Sequence, residues 1–212
     1  MSKQNLSVHH KQISRRTIGH YEGRADIFWQ ATCDHDVEQN IEALLAALPD
    51  HRALSILDFG CGPGRDLKAF KDRGHKPTGL DGCAAFCRMA RAYAQCDVLH
   101  QDFLQLDLPQ GRFDGVYANA SLFHVPSDHL PVVLSQLAHS LNAGGILFSS
   151  NPRGETEGWQ GERYGHYMEL EVYQDFLQAA GFEPISHYYR PAGKPRSEQN
   201  WLAVVSRKVN VG

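Results

Sequence analysis

Between residues 58 and 64 the chain reads Asp58-Phe59-Gly60-Cys61-Gly62-Pro63-Gly64, with glycines at alternate positions behind an acidic residue. Glycine adopts positive φ without a Cβ penalty and lets backbone approach a ligand closely. Asp81 follows 21 residues after Gly60, at the end of the next apolar stretch, where a carboxylate can accept hydrogen bonds from a ribose diol. The run from Leu54 to Phe59 is too short for a helix and is closed by glycines, so it reads as a buried parallel strand. Leu67 and Phe70 place a helix after Gly64, ending at Gly74, and the free amides at its start would favour an anionic or polar ligand group. A glycine cluster alone is a weak signal. Lodged between strand and helix, with an acid closing the next strand, it points to a nucleoside-bearing ligand.

The glycine spacing discriminates between two such ligands. The dinucleotide fingerprint G-x-G-x-x-G puts its third glycine three places after the second, and here Arg65 occupies that place. With Asp58 two residues before Gly60, the segment instead resembles the first motif of the class I S-adenosylmethionine-dependent methyltransferases, an acidic residue followed by x-G-x-G-x-G. Further segments are similar to that family in order: Gly79-Leu80-Asp81, then Gln101-Asp102-Phe103, then Phe113 to Val116 followed by Asn119 to Val125, then Leu141 to Leu147. The resemblance covers about residues 20 to 150; beyond that, only a general helix-and-hairpin ending is shared. It implies a Rossmann-like, doubly wound α/β fold with a seven-stranded sheet in the order 3-2-1-4-5-7-6, the last strand antiparallel. It also implies S-adenosylmethionine as the cofactor and S-adenosylhomocysteine as its product. On this reading the donor lies over Gly60, Cys61, Gly62 and Gly64. Its ribose rests on Asp81 beside Gly82, its adenine is framed by Asp102 and Phe103, and Asn119 and Ala120 stand beside the methyl donor. Asp58 orders the glycine loop by accepting backbone N–H bonds, and Cys61 presents only backbone.

Methyl transfer asks for proximity and in-line orientation more than for acid–base work, because the donor is already activated. A base matters only where the acceptor loses a proton on the reaction path. His124, just after the fourth strand, is the candidate base; it could equally orient the acceptor or simply be packed. Tyr21, with Phe28 and Trp29, lies in a segment resembling the lid of small-molecule methyltransferases, which places Tyr21 against the methionine end and Trp29 against the acceptor. Residues 151–168 are long for a connection, which favours a functional loop. There Arg153, Arg163, Tyr164, His166 and Tyr167 could hold a carboxylate or phosphate, against the alternative of a solvated loop partnered by Glu155, Glu157 and Glu162. Arg190, Lys194 and Arg196 add positive charge more weakly. The rival functions are a nicotinamide-dependent oxidoreductase and a non-catalytic ligand-binding protein with the same fold. Asn151-Pro152 follows the fifth strand rather than the fourth, which disfavours amino methylation of nucleic acid.

The elements that must position these residues alternate strand and helix through residues 54–150, which requires a parallel sheet covered on both faces. A helical pattern runs from about Ser14 to Leu48, its stripe carried by Ile41, Leu44, Leu45 and Leu48, and Pro49-Asp50 ends it. Residues 1–50 are therefore expected to form a helical lid and 51–212 the donor-binding core of a single structural domain. Strands are predicted at about 182–189 and 201–207 as a closing hairpin. The 212 residues suit one domain. A net charge of −3 argues against a polyanion partner, and no apolar run reaches the length that spans a bilayer. Five cysteines without framework spacing suit a reduced, cytoplasmic protein, and Cys83 with Cys87 makes a poor metal site. A small-molecule acceptor is expected, with the chain a monomer or homodimer.

Overall fold

The computed structural model describes residues 6–49 and 53–209. The expected boundary between lid and core, at 50/51, lies outside these residues. Five strands, β1 (Ser55–Phe59), β2 (Lys76–Asp81), β3 (Val98–His100), β4 (Phe113–Asn119) and β5 (Leu141–Pro152), run parallel. Two more, β8 (Phe182–Arg190) and β9 (Trp201–Lys208), complete a seven-stranded sheet in the order β3-β2-β1-β4-β5-β9-β8. β9 runs antiparallel to both of its neighbours. This is the predicted architecture.

Burial explains why the central strands hold this order. Ile56, Leu57, Asp58 and Phe59 are all buried, as expected of a strand covered on both faces. Leu57, Phe59, Val116 and Leu147 point to one side, under α6 (Leu130–Ser140) and α7 (Leu170–Ala179). Ile56, Tyr117, Ile146 and Phe148 point to the other. They pack there against Ile41 and Leu44 of α3 (Glu38–Leu45) and Phe70 of α4 (Arg65–Asp72). The α5 helix (Ala84–Ala94) lies beside α4, where Gly64 allows close approach: a Cβ there would stand 2.8 Å from the Ala90 Cα.

Two segments depart from the sequence reading. The single helical pattern over 14–48 is three helices, α1 (Val8–Glu22), α2 (Ala25–Thr32) and α3. Ser7 caps the first by accepting from the His10 amide, so it starts earlier than predicted, and Gly23 ends it. The supposed irregular loop at 151–168 contains a hairpin, β6 (Glu157–Gln160) with β7 (Arg163–His166), turned at Gly161-Glu162. Its strands of four residues each contain a glycine and are too short to show a period.

Candidate functional site

β1 delivers the chain into the glycine turn at the carboxyl end of the sheet. Gly60, Gly62 and Gly64 all hold positive φ. At Gly60 there is also no room: a Cβ would lie 2.4 Å from the Ser121 Cβ and 3.2 Å from the Phe103 ring. The amides of the turn are already used. Gly60 and Cys61 donate to the Leu80 carbonyl at 2.8 and 3.0 Å, Gly64 donates to Cys61, and Gly62 donates to the Asp81 carboxylate at 3.0 Å. What the turn leaves open is the Gly60 carbonyl, which accepts no bond among the described residues. That carbonyl dipole suits an ammonium or sulfonium better than a pyrophosphate.

Asp81 ends β2 and is buried. Its second oxygen accepts from the Cys83 amide at 2.8 Å. Burial pushes its carboxyl up to about 6 even though these backbone bonds and the charge of His100 favour the anion. A carboxylate kept at that cost has acceptor capacity left for a hydroxyl pair. Asp58, the acid before the turn, is also buried and raised well above the carboxylate range, by burial first and by Asp66 second. One of its oxygens has no partner among the described residues. Cys61 is buried with its thiol pushed well up by desolvation, which makes it inert as a nucleophile.

A cavity of about 90 Å³ extends from Gly60 and Gly62 past Asp81 and Gly82 to Asp102 and Phe103. α1 roofs it through Ile13, Ser14, Thr17 and Ile18. The Ser14 hydroxyl donates to Asp102, whose other oxygen accepts from the Leu104 amide at 2.9 Å. Phe103 stacks on Phe59 at 4.3 Å between ring centres, which fixes its plane. The roof is fastened at several further points. The Thr17 hydroxyl accepts from the Tyr164 amide at 3.1 Å, and Arg16 donates twice to Glu162 at 2.8 Å.

A second, larger cavity of about 640 Å³ adjoins the first. The two share Tyr21, Phe28, Gly60, Gly62 and Ala120. Ala120 holds φ +59, uncommon for a residue with a Cβ, and its amide donates to the Ser150 carbonyl at 2.8 Å. At this junction the Tyr21 hydroxyl lies 2.8 Å from His124 Nε2. His124 Nδ1 lies 2.6 Å from the Tyr164 carbonyl. A carbonyl only accepts, so Nδ1 carries the proton and Nε2 accepts from the Tyr21 O–H. Burial pushes this imidazole down to about 4, opposed by the Tyr164 carbonyl and reinforced by the Arg163 charge. Arg163 Nη1 in turn donates to the Tyr21 oxygen at 3.4 Å. His124 lines the smaller cavity and not the larger.

The residues expected to meet an acceptor separate in the structure. Arg163 and Trp29 line the larger cavity, and Trp29 packs edge-on to Tyr93 at 4.8 Å. Arg153, Tyr164, His166 and Tyr167 line neither cavity. Arg153 is committed to the Gln199 and Arg196 carbonyls and to Glu169. The Tyr164 hydroxyl donates to Glu157 at 3.0 Å, and His166 is buried edge-on to Phe176. Tyr167 turns toward Phe123 and fills the space over Gly165. Asn119 and Cys61, expected at the donor, line the larger cavity instead, and Gly64 lines neither. Asn119 is the middle of a chain: Tyr188 donates to Asn40, Asn40 to Asn119, and Asn119 to Asp66, which also pairs with Arg65. Arg190 at the end of β8 lines the larger cavity, a place that nothing local in the sequence marks.

Comparison with known proteins agrees with this geometry. Residues 56–145 match the family described as "Methyltransferase domain". Over 110 residues the chain is 32% identical to the malonyl-[acyl-carrier protein] O-methyltransferase of Enterobacter lignolyticus, covering 51% of this chain and 43% of that one. Over 117 residues it is 33% identical to the trans-aconitate 2-methyltransferase of an Azoarcus species, covering 54% and 45%. The chain thus matches less than half the length of these relatives. The structure of Burkholderia thailandensis 1,6-didemethyltoxoflavin-N1-methyltransferase, with S-adenosylhomocysteine bound, superposes with a TM-score of 0.74 at 21% identity, covering 99% of this chain and 94% of that one. Fold and glycine turn together resemble those of the class I, S-adenosylmethionine-dependent methyltransferases. The family match spans β1 through the start of β5, 90 of the 212 residues.

Proposed function

We propose that this protein transfers the methyl group of S-adenosylmethionine to a small anionic acceptor. The observation that carries the proposal is the junction of the two cavities. Arg163, which pairs with no carboxylate among the described residues, stands there on the Tyr21 hydroxyl. On the donor side, Gly60 offers a carbonyl to the methionine ammonium and Asp81 beside Gly82 offers acceptors to the ribose. Asp102 and Phe103 frame the adenine once Ser14 releases the carboxylate. S-adenosylmethionine, when bound, supplies a methyl group on a sulfonium already activated for displacement. The chain supplies orientation and water exclusion, with residues 1–50 as a lid.

His124 serves this reaction through Tyr21. Its free lone pair is spent on the Tyr21 O–H, so it fixes the direction of that hydroxyl at the junction. Replacing His124 with phenylalanine should lower turnover about fivefold to tenfold, the worth of one hydrogen bond. Donor affinity and the shape of the pH–rate profile should stay unchanged. A lost ascending limb in that profile would instead make His124 the base.

The raised Asp81 carboxyl predicts how donor binding depends on pH. Ribose hydroxyls bond the ionised form, so binding below the free-state value of about 6 must release a proton. Affinity for S-adenosylhomocysteine should be level above about pH 7 and fall toward tenfold per unit below about 6. Calorimetry in buffers of different ionisation heat reads both the affinity and the proton.

The activity itself is tested with labelled donor and a small-molecule extract. A methylated product of low mass is the expected result. Donor binding without any product would leave a ligand-binding protein; no donor binding at all would overturn the donor site.

A further inference from the structure

We infer that the acceptor reacts through a carboxylate oxygen and carries a second acidic group that sits on Arg190, so that the product is a methyl ester. This rests on the methyl-transfer reading above and narrows it to one bond type and one recognition residue.

The first support is the population of the junction. An alcohol or thiol acceptor must lose a proton to become a good nucleophile, and that proton needs a destination. Each titratable group facing the junction is already engaged. Tyr21 donates its proton to His124, and His124 donates its own to the Tyr164 carbonyl. Arg163 can only donate. Asp81 lies on the donor side, tied to two backbone amides. Asp66 is held by Arg65 and Asn119. His35 and Asp36 are exposed and line the larger cavity alone, away from the shared residues. The low proton affinity of His124 points the same way. A carboxylate needs none of these groups as a base.

The second support is the pair of cationic anchors. Arg163 comes from β7, beside the junction. Arg190 comes from the end of β8 and lines the same 640 Å³ cavity. Its recorded bond is to the Asp36 carbonyl at 3.1 Å, and it forms no ion pair among the described residues. Both guanidiniums keep N–H groups for a bidentate carboxylate. The same cavity is also lined by the aromatic side chains of Phe28, Trp29, Phe123 and Trp201. One carboxylate on each arginine, joined by an apolar spacer, satisfies this chamber. Its neighbour Arg65 is excluded from that role by its bonds to Asp66 and the Thr32 carbonyl.

The reaction balances without a proton step. The carboxylate oxygen on the Arg163 side forms the new C–O bond while the methyl–sulfur bond breaks, and that electron pair stays on sulfur. One positive and one negative charge disappear together. A neutral ester and a neutral thioether remain.

The test uses the purified chain, labelled donor, and small-molecule extract, followed by mild base. Esters release labelled methanol; ethers, amines and thioethers do not. The expected result is label recovered as methanol, with a rate flat from about pH 6.5 to 9 because the reacting group is already ionised. Dicarboxylates from succinate to adipate then probe the second anchor, against their monomethyl esters. Arg190→Ala should raise the KM of an accepted dicarboxylate about tenfold or more, and that of its monomethyl ester much less. Calorimetry of the same dicarboxylates with S-adenosylhomocysteine present should show the same loss without any turnover. Base-stable label, or a rate that climbs tenfold per pH unit, overturns the carboxylate assignment while methyl transfer stands. An Arg190→Ala variant indifferent to the second acid overturns the anchor. Donor binding with no transfer to any acceptor overturns the reading beneath both.

Discussion

Asp81→Asn should weaken S-adenosylhomocysteine binding by about 10- to 100-fold, roughly 1–3 kcal/mol, the scale of a lost charge-assisted hydrogen bond. The same change should leave the protein equally or more resistant to heat at pH 7 to 8. These two expectations come from one physical fact. The Asp81 carboxyl is buried and raised to about 6 from 3.8, so holding it ionised at neutral pH works against folding, by an amount on the order of a few kcal/mol. The sign follows from proton linkage: the native state binds its proton more tightly than the unfolded chain, so stability is lost as pH rises through about 6. Asparagine keeps one oxygen to accept from Gly62 or Cys83 and removes the charge. Asp81→Ala discards both tethers of the glycine turn and should cost stability as well as affinity. Unchanged affinity in a folded Asp81→Asn protein would contradict the ribose assignment, whatever the thermal result.

Gly60→Ala should cost roughly 2–4 kcal/mol of stability, the sum of a left-handed backbone penalty and an overpacking penalty. In a domain of this size that lowers the melting temperature by roughly 4–16 °C. The two contributions can be separated within the same protein. Gly161 has φ +65 with nothing within 4 Å of a would-be Cβ, so Gly161→Ala reports the backbone penalty alone. Gly60 has φ +79 and a Cβ that would stand 2.4 Å from another Cβ. That neighbour, Ser121, has no easy retreat, because its hydroxyl is bonded to the Phe59 carbonyl at 2.6 Å and its residue is buried. Melting curves in which Gly60→Ala loses no more than Gly161→Ala would show that the turn yields where the structure says it is tight. Donor affinity should fall with Gly60→Ala, since the open carbonyl belongs to the residue that must move.

The legible parts of this chain are those where a residue's role is set by its neighbours in sequence. The glycine turn and the acid at the end of β2 fall in this group, because a strand followed by a tight turn constrains only a few consecutive positions. The sheet order came with the family likeness and not from periodicity, since buried parallel strands look alike. Less could be read where roles depend on partners distant in sequence. Arg153 and Arg190 are indistinguishable as letters. One is consumed by the Gln199 and Arg196 carbonyls and Glu169, and the other faces a cavity. The apolar stripe from 14 to 48 hid two breaks because Gly23 and residues 33–37 interrupt it without reversing its period. His124 was marked by its place after β4, but which of its nitrogens bears the proton depends on the Tyr164 carbonyl forty residues on.

α1 contributes to both chambers. Ser14, Thr17 and Ile18 roof the smaller, and Tyr21, one turn further on, walls the larger. Both groups ride on one continuous helix, so a shift of the whole helix carries them together. Such a shift, wide enough to pass a nucleoside beneath Ser14, also withdraws Tyr21, parts it from His124, and opens the acceptor chamber to water. Loading the donor and dismantling the reaction vessel are therefore one motion, and sealing the donor in builds the wall against which the acceptor must be placed.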